Sequence, residues 1–540
     1  MLRPRGSDLL ALGVAALAAR VAAALAVGYP PYTDPAYYAM VAQQLVSGHG
    51  FSAPVLWSFL EVGGRLPAHP VLPVPSNGHW MPLTSVVAAF AMAALGPTWQ
   101  AGQVPMIVLS AALVPLTYLV GIELWGSRRV AWLAALLAIF AGPLLILYPT
   151  VDNFAVFGAC GAAALYAAVR ALRGEHRSWW LVASGVGVGL ATLARVDGLL
   201  LAVAPATAWL ADRGWGPWQG AGERRLGWWT LPMAAAAAIV VLAPWLGRNL
   251  EVFGSAFPSA GGHTLWITSY NQQFSISADP TLAGYLAWGP LNIIGSKLEA
   301  WWEIGWRTVV LLGGVFAVFF VAGLWRERRR PALAPFVAYF VVMFVAMGLV
   351  FTFHAPKGAF YHSSGAWLPF ALALSAASLG PTCQALGRWW RFLARPATQR
   401  FVAGAGLAGA VALSLLGSVA LLRIWDAAHQ KDMAAAAFLR GQGATTEVAM
   451  YADPPSLWHL TGGPAVVSPF DPYPVLEQVV RAYDVRWVVV ALREGASIDP
   501  LGLWNGGRAV DGDGNTATWL SLDPAFEAPG VRVFAVVDGP

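Results

Sequence analysis

The sequence predicts a polytopic α-helical membrane protein with a small soluble α/β domain at its C-terminus. With 540 residues, of which 57% are hydrophobic and only 11% charged, the chain is too apolar for a soluble protein. Apolar segments long enough to cross a bilayer recur as far as Arg423. Beyond that residue the composition becomes that of a soluble domain, which extends over residues 425–540.

Spanning segments occupy most of residues 1–424, the predicted membrane domain. They begin near residues 8, 99, 130, 153, 178, 197, 228, 304, 332, 362 and 401, which predicts about eleven transmembrane helices. Arg3 and Arg5 precede the first apolar run. We therefore expect a retained first span whose N-terminus is cytoplasmic, and no cleavable signal.

The shorter apolar stretch Pro82–Leu95 decides the topology. If it does not cross the membrane, the arginine clusters within residues 128–129, 170–177, 213–225, 326–330 and 388–400 all lie inside. If it crosses, all of them move outside. We therefore predict an interfacial helix here, within a first outer loop over residues 29–98, and a second large outer loop over residues 247–303.

Asp34 and Pro35 open a second predicted interfacial helix, close to the outer end of the first span. Asp caps free helical N–H groups and Pro is tolerated at the first helical position, so the purely structural interpretation is that Asp34 is only a helix cap. Apolar residues at helical spacing form one side of the helix, namely Tyr38, Val41, Ala42 and Leu45.

Further polar residues fall on the same outer side in this topology. Each has a structural alternative: Asp152 could cap the next helix, Arg195 could pair with Asp197 in a turn, and Arg248 could snorkel beside Trp245. The segment HAPKGAFYH places Lys357, Tyr361 and His362 together at the outer mouth, although Lys357 could equally be an ordinary exposed residue. His263 follows two glycines and is a candidate metal or phosphate ligand, a role that a lone loop histidine seldom has.

Two segments carry a resemblance to a known family. In GYPPYTDPAYYAM an acidic residue is followed by Tyr four positions later and then by Ala, and APWLGRN places Pro-Trp and then Arg-Asn at the end of a span. Both resemble outer-loop segments of the C-type membrane glycosyltransferases, which include the protein O-mannosyltransferases and the lipid A aminoarabinose transferase (glycosyltransferase family 39-like). The family usually has Asp-Glu where this chain has Asp34-Pro35, and the lipid A transferase has Lys-Pro where this chain has Met81-Pro82.

The resemblance implies an inverting glycosyltransferase of the outer membrane face that uses a polyprenyl-phosphate sugar as donor. Asp34 would be the general base and Asp152 a second catalytic residue. Implied substrate-binding residues are Tyr38, Arg195, Arg248, Lys357, Tyr361 and His362. Some members of the family depend on a divalent metal and others do not. Its expected partners are the lipid donor, an acceptor lipid, glycan or protein, and the bilayer of a prokaryotic plasma membrane.

Other functions stay open on the sequence. An oligosaccharide ligase or polymerase that uses a diphosphate-linked lipid would have the same fold. A non-catalytic lipid or sugar transporter would need a polar path in mid-membrane and two related halves, and neither is visible. A degenerate member that only scaffolds other enzymes is a third alternative. The net charge of +5 is scattered among loops, which argues against nucleic acid, and Cys160 and Cys383 lie in or beside apolar segments, which disfavours a disulfide or thiolate site.

The C-terminal region predicts an extracytoplasmic α/β domain that could cover the site. Helices are expected at Asp432–Arg440 and Tyr473–Tyr483, and strands at Glu447–Tyr451, Val485–Leu492 and Val531–Val537.

Overall fold

The computed structural model confirms the predicted fold class. It describes residues 3–173, 175–215, 217–218, 225–258, 263–492, 514, 517–521 and 523–537. The helices of the apolar region are α1 (Gly6–Ala26), α2 (Thr33–Val46), α3 (Leu83–Leu95), α4 (Trp99–Trp125), α5 (Arg128–Ile139), α6 (Leu144–Leu147), α7 (Asn153–Arg173), α8 (Arg177–Ala194), α9 (Val203–Asp212), α10 (Thr230–Phe253), α11 (Leu282–Ala287), α12 (Pro290–Leu311), α13 (Phe316–Glu327), α14 (Ala334–Val345), α15 (Phe360–Leu386) and α16 (Pro396–Gly441).

Seven helical segments of the described chain are long and apolar enough to cross a membrane, or eight if the bent pair α12 and α13 forms one span. The three remaining predicted crossings are also helical, but they are less apolar or interrupted. The crossing expected near residue 130 is divided between α5 and α6, the one near 178 is α8, and the one near 197 is a 3₁₀ turn followed by α9. Helix α3 has 13 residues and is about 20 Å long, so it is too short to cross a hydrocarbon core of about 30 Å.

Helix α2 differs from the predicted interfacial helix in two respects. It begins at Thr33 with Tyr32 as its N-cap, and no side chain caps it, so Asp34 lies in the first turn and is not the cap. All residues from Pro35 to Ala42 are buried, because α2 is covered on two sides and does not simply lie on a membrane surface.

The C-terminal domain contains one mixed sheet. Its elements are β4 (Val448–Tyr451), α17 (Pro454–Thr461), β5 (Ala465–Val467), α18 (Tyr473–Ala482), β6 (Val485–Ala491), β7 (Phe526–Ala528) and β8 (Val531–Ala535), and the first outer loop contributes β1 (Ser52–Ala53), β2 (Val55–Leu56) and β3 (Val74–Pro75). The predicted strands at β4, β6 and β8 and the helix α18 are confirmed, whereas α17, β5 and β7 were not predicted.

The first outer loop and α16 both join this domain to the membrane region. The strand order of the six-stranded sheet is β2-β5-β4-β6-β8-β7, so its edge strand comes from the first outer loop and pairs in parallel with β5. Helix α16 continues from the apolar region into the domain, and the predicted boundary at residue 425 lies inside it.

Two hydrophobic cores meet at α2. Tyr38 and Ala42 pack in the core of the helical region, whereas Tyr37, Met40 and Val41 pack in the core of the C-terminal domain. The position of the first turn of α2, and therefore of Asp34, depends on both cores.

Candidate active site

A cavity of about 470 Å³ opens beside the first turn of α2. It is lined by residues of both outer loops, of the start of α7, of the end of α8 and the turn after it, of α15 and the segment before it, and of the C-terminal domain: Thr33, Asp34, Tyr38, Trp57, His79, Trp80, Met81, Asn153, Ala194, Arg195, Val196, Tyr270, Asn271, Gln273, Phe274, His354, Lys357, Ala359, His362 and Ala452. A second, more apolar cavity of about 340 Å³ adjoins it. The two cavities share His79, Arg195 and His354 among their lining residues.

Two carboxylates and an imidazole meet at the wall of the first cavity. His362 Nε2 lies 3.9 Å from Asp34 Oδ2, and His362 Nδ1 lies 3.7 Å from Asp152 Oδ1. Asp152 comes directly before α7 and His362 lies in the first turn of α15, so the cluster joins three helix starts. Asp152 is fully buried, whereas 27% of the Asp34 side chain is exposed, and that part faces the cavity.

Neighbouring side chains fix this cluster. The Tyr32 hydroxyl donates a hydrogen bond of 2.8 Å to Asp152 Oδ2, and the Asn153 backbone N–H donates one of 2.6 Å to Oδ1. The Asn153 side chain in turn donates to the Tyr38 hydroxyl at 3.0 Å. The His362 ring stacks on Phe154 with centroids 3.8 Å apart. Asp152 is therefore held by donors, while no side chain in the described part of the chain donates a hydrogen bond to Asp34.

Both carboxyl groups bind protons more tightly than usual. Burial raises the pKa of Asp34 well above its ordinary value, and the charge of Asp152 raises this pKa further, although Arg195 opposes it. Burial also raises the pKa of Asp152 to about 6, against the effect of its bonds from Tyr32 and Asn153. A carboxylate whose pKa lies closer to neutrality is a stronger general base than a solvated aspartate.

Two cationic side chains line the same cavity. Arg195 follows the last residue of α8 with an extended backbone, and its Nε donates to Asp197 Oδ1 at 2.9 Å. Asp197 also accepts a hydrogen bond from Ser363. The predicted ion pair is therefore present, and it holds the Arg195 guanidinium at the border of the two cavities. Lys357 lies in the turn before α15, with its ammonium 5.6 Å from the centre of the Tyr270 ring.

Two histidines at this border are neutral at physiological pH. Burial lowers the pKa of His79 to about 3 and the pKa of His354 to about 4, and the nearby positive charge of Arg195 contributes to both shifts. Met81, which carries no charge, also lines both cavities. Among the described residues that line the first cavity, Arg195 and Lys357 are therefore the two whose side chains carry a full positive charge.

Two predicted site residues, Arg248 and Tyr361, are not brought into this group. The Arg248 guanidinium lies over the Trp245 ring at 4.7 Å and donates to the Phe51 carbonyl, as expected for a side chain that snorkels between aromatic rings. The Tyr361 ring lies 5.6 Å from the Arg307 guanidinium, and neither Arg248 nor Tyr361 is among the described residues that line the two cavities. His263 begins a short 3₁₀ turn, and its side chain lies outside the described part of the structure.

Several cavity residues carry no sequence signal that would have identified them. Tyr270, Asn271 and Gln273 come from the irregular second outer loop, and Trp57 and Trp80 come from the first, where they stack on each other with centroids 3.9 Å apart. Tyr32 lies two residues before Asp34 and Asn153 directly follows Asp152, and that proximity alone could have suggested them.

The residues Asp34, Asp152 and His362 fit a divalent metal. One ligand atom from each residue lies within 4.8 Å of the others. His362 Nδ1 is buried and has no hydrogen-bond partner in the described part of the chain, as is expected of an imidazole nitrogen reserved for a ligand. Two carboxylates and an imidazole are ordinary ligands for zinc and for manganese.

Solved structures of membrane glycosyltransferases match the chain over most of its length. ArnT from Cupriavidus metallidurans in its apo state is 14% identical, with a TM-score of 0.59 over 98% of each chain. The same protein bound to undecaprenyl phosphate is 13% identical, with a TM-score of 0.57 over 99% of each chain. The apo oligosaccharyltransferase of Archaeoglobus fulgidus is 12% identical, with a TM-score of 0.51 over 90% of this chain and 70% of that chain. Arabinofuranosyltransferase AftD from Mycobacteria is 14% identical, with a TM-score of 0.51 over 100% of this chain and 42% of that chain.

The sequence itself matches no protein-family model and no curated protein. The structural similarity nevertheless shows that the chain has the fold of the C-type membrane glycosyltransferases. At these identities the similarity shows the fold alone.

Proposed function

We propose that the chain is an inverting glycosyltransferase that moves a sugar from a polyprenyl-phosphate donor to an acceptor hydroxyl or amine. The observation that carries this proposal is the position of Asp34. Its carboxylate faces a cavity that also holds Arg195 and Lys357, and an apolar cavity begins directly behind Arg195. A polyprenyl-phosphate sugar has three parts that match these features: an anomeric carbon that reacts, an anionic phosphate for the two cations and an apolar prenyl chain for the apolar cavity.

The two cavities divide the donor between them. The second cavity has apolar walls that include Leu199, Phe257, Met347 and Phe351, and these side chains suit a prenyl chain. Arg195 stands where the cavities meet and would bind the phosphate there, with a geometry that suits phosphate oxygens. The sugar would then extend into the first cavity, towards Asp34.

The chemistry is a single displacement at the anomeric carbon. Asp34 accepts the proton of the acceptor hydroxyl or amine while the acceptor atom bonds to the anomeric carbon on the face opposite the phosphate. The bond between the anomeric carbon and the phosphate oxygen breaks, and polyprenyl phosphate leaves with both electrons. Arg195 and Lys357 stabilise the charge that develops on that oxygen. Attack from the opposite face inverts the configuration of the anomeric carbon.

Asp152 and His362 would support Asp34. Asp152 raises the pKa of the Asp34 carboxyl, which strengthens Asp34 as a base. A divalent ion held by Asp34, Asp152 and His362 would supply positive charge that polarises a bound oxygen.

The arrangement favours an enzyme over a transporter. Its charged groups gather at one end of the helices, in a cavity whose lining also includes Ala452 of the C-terminal domain. A transporter needs polar groups near mid-membrane. Together with the predicted arginine distribution, this supports an outer-face site in a prokaryotic plasma membrane, with a cytoplasmic N-terminus and an extracytoplasmic C-terminal domain.

The test is transfer from a panel of labelled undecaprenyl-phosphate sugars in proteoliposomes. We expect Asp34→Asn to reduce the transfer rate by a factor of about 10² to 10⁴, the usual contribution of a general base, and to retain binding of undecaprenyl phosphate. The matched control is Asp279→Asn, which removes the charge of an exposed aspartate in the second outer loop and should leave the rate unchanged.

Two outcomes would contradict the proposal. Undiminished transfer by a folded Asp34→Asn protein would remove the base assignment. Binding of undecaprenyl phosphate by the wild type without transfer from any donor of the panel would favour the transporter or the scaffold.

A further inference from the structure

A cavity of about 490 Å³ lies far from the candidate active site, between α5, α15 and α16. Its polar lining comes from the first turns of α5 and α16, including Arg129, Gln399 and Arg400, and its apolar lining includes Leu133, Leu379 and Ala403. It therefore combines two basic side chains with a wall of hydrocarbon. Nothing in the proposed transfer reaction uses it.

The depth of this cavity in the membrane can be derived from its position along α15. The helix carries His362 in its first turn and Gly380, which lines the cavity, near its other end. At 1.5 Å per residue these positions are about 27 Å apart, close to the thickness of the hydrocarbon core. The cavity thus lies at the boundary of the membrane leaflet opposite the catalytic one, which is the cytoplasmic leaflet in the predicted topology.

The charges around this cavity favour the binding of an anion. Neither Arg129 nor Arg400 has a carboxylate partner within ion-pair distance among the described residues, whereas the adjacent Arg128 is paired with Asp8. Helices α5 and α16 both begin at this cavity; the Ser127 side chain caps the first turn of α5, whereas no side chain caps the first turn of α16. Helix N-termini carry a partial positive charge, so both helices add to the attraction of the two arginines, and α16 also offers uncapped N–H groups.

The surroundings favour a lipid over a free ion. Exposed aromatic side chains flank the first turn of α16, with Trp389 at 74% exposure and Phe401 at 73%. Aromatic rings of this kind sit at the headgroup level of a bilayer. A phosphate bound between the arginines would place acyl chains along the wall formed by Leu133, Leu379 and Ala403.

We propose that this cavity binds the phosphate headgroup of an anionic phospholipid from the cytoplasmic leaflet. Basic pockets between transmembrane helices on that side are suited to such headgroups. The lipid would bridge the first turns of α5 and α16 and thereby fasten α16, the helix that continues into the C-terminal domain.

The experiment uses the full-length protein, purified in a zwitterionic detergent and mixed with phosphatidylglycerol or with phosphatidylcholine of the same acyl chains. Bound lipid is counted by native mass spectrometry, and the apparent melting midpoint is recorded. We expect phosphatidylglycerol to be retained and to raise the midpoint, unlike phosphatidylcholine and unlike inorganic phosphate. The double variant Arg129→Gln/Arg400→Gln should bind it about 30-fold more weakly, since each basic side chain contributes about 1 kcal/mol.

The matched control is Arg388→Gln/Arg391→Gln, which removes the same charge from neighbouring residues that do not line the cavity. If the double variant does not fold, Ala403→Trp tests the same cavity by filling it while both arginines remain. Equal effects of the two lipids would overturn the proposal, and so would equal loss in the control. Full protection by inorganic phosphate alone, or retained phosphatidylglycerol in both cavity variants, would overturn it as well.

Discussion

The close crossing of α7 and α15 brings Asp152 and His362 together. Gly365 permits this close crossing, because it has no Cβ atom. A Cβ atom added at Gly365 would lie 2.8 Å from the Cα of Gly158, while ordinary contacts begin at 3.4 Å. In Gly365→Ala the two helices must therefore separate by about 0.6 Å, because the obstructing atom belongs to the backbone and cannot rotate away. Overpacking of this kind costs about 1–3 kcal/mol.

The separation of α7 and α15 would also move Asp152 and His362 apart in the candidate site. His362 lies one turn before Gly365 on α15, and Asp152 directly precedes α7. Since a misplacement of about 1 Å can reduce a rate by about 10²-fold, we expect roughly a tenfold loss of transfer. Stability is measured as the fraction of protein that remains monodisperse in size-exclusion chromatography after heating, and transfer is measured in proteoliposomes.

Gly409→Ala is the matched control. Gly409 lies inside α16, and a Cβ atom there meets no other atom within 4 Å. Alanine favours a helix over glycine by about 1 kcal/mol, so this variant should be as stable as the wild type or more stable. Equal stability of Gly365→Ala and Gly409→Ala would show that the two helices do not pack through these glycines.

Two further predictions concern buried acids. Asp34 must be deprotonated to act as a base, so activity should fall as pH decreases through its raised pKa. Asp152→Asn should move this acidic limb of the pH–rate profile to lower pH, because it removes the like charge that raises the pKa of Asp34. An unmoved limb in the pH–rate profile would show that Asp34 is not the titrating group. Burial raises the pKa of Glu61 from 4.5 to about 8, so the folded state holds this proton more tightly and stability should fall as pH rises between these values. Glu61→Gln stays neutral and should remove that part of the slope when unfolding is compared at pH 5 and pH 8; an identical slope would contradict the assignment.

The sequence predicted the parts of the site that depend on local patterns. Periodicity and charge located α2 and α3, and the interruption at Arg195 was visible because charged residues are costly inside an apolar run. The cost of an unpaired charge also predicted the contact between Arg195 and Asp197, which the structure contains. The same reasoning misplaced the start of α2, because the helix begins one residue before Asp34 and so removes Asp34 from the capping position.

The rest of the site depends on contacts that no local pattern records. His362 approaches Asp152 because α7 and α15 cross at two glycines, and the sequence does not show which glycines face each other. Tyr270 reaches the cavity from an irregular loop with no periodicity to read. The strand β2 has only two residues, and only its partner β5 in the C-terminal domain makes it a strand.

The C-terminal domain is part of the candidate site and not a separate attachment. It pairs β5 with β2 of the first outer loop, and its core packs against Tyr37, Met40 and Val41 of α2. The other side of α2 packs against the membrane helices, so removal of either support would free the helix that carries Asp34. The negative charge of Asp453, from the same domain, also raises the pKa of the Asp34 carboxyl. The position of Asp34 and the pKa of its carboxyl, on which its proposed role as general base depends, are therefore determined by residues more than 400 positions away in the sequence as well as by its own helix.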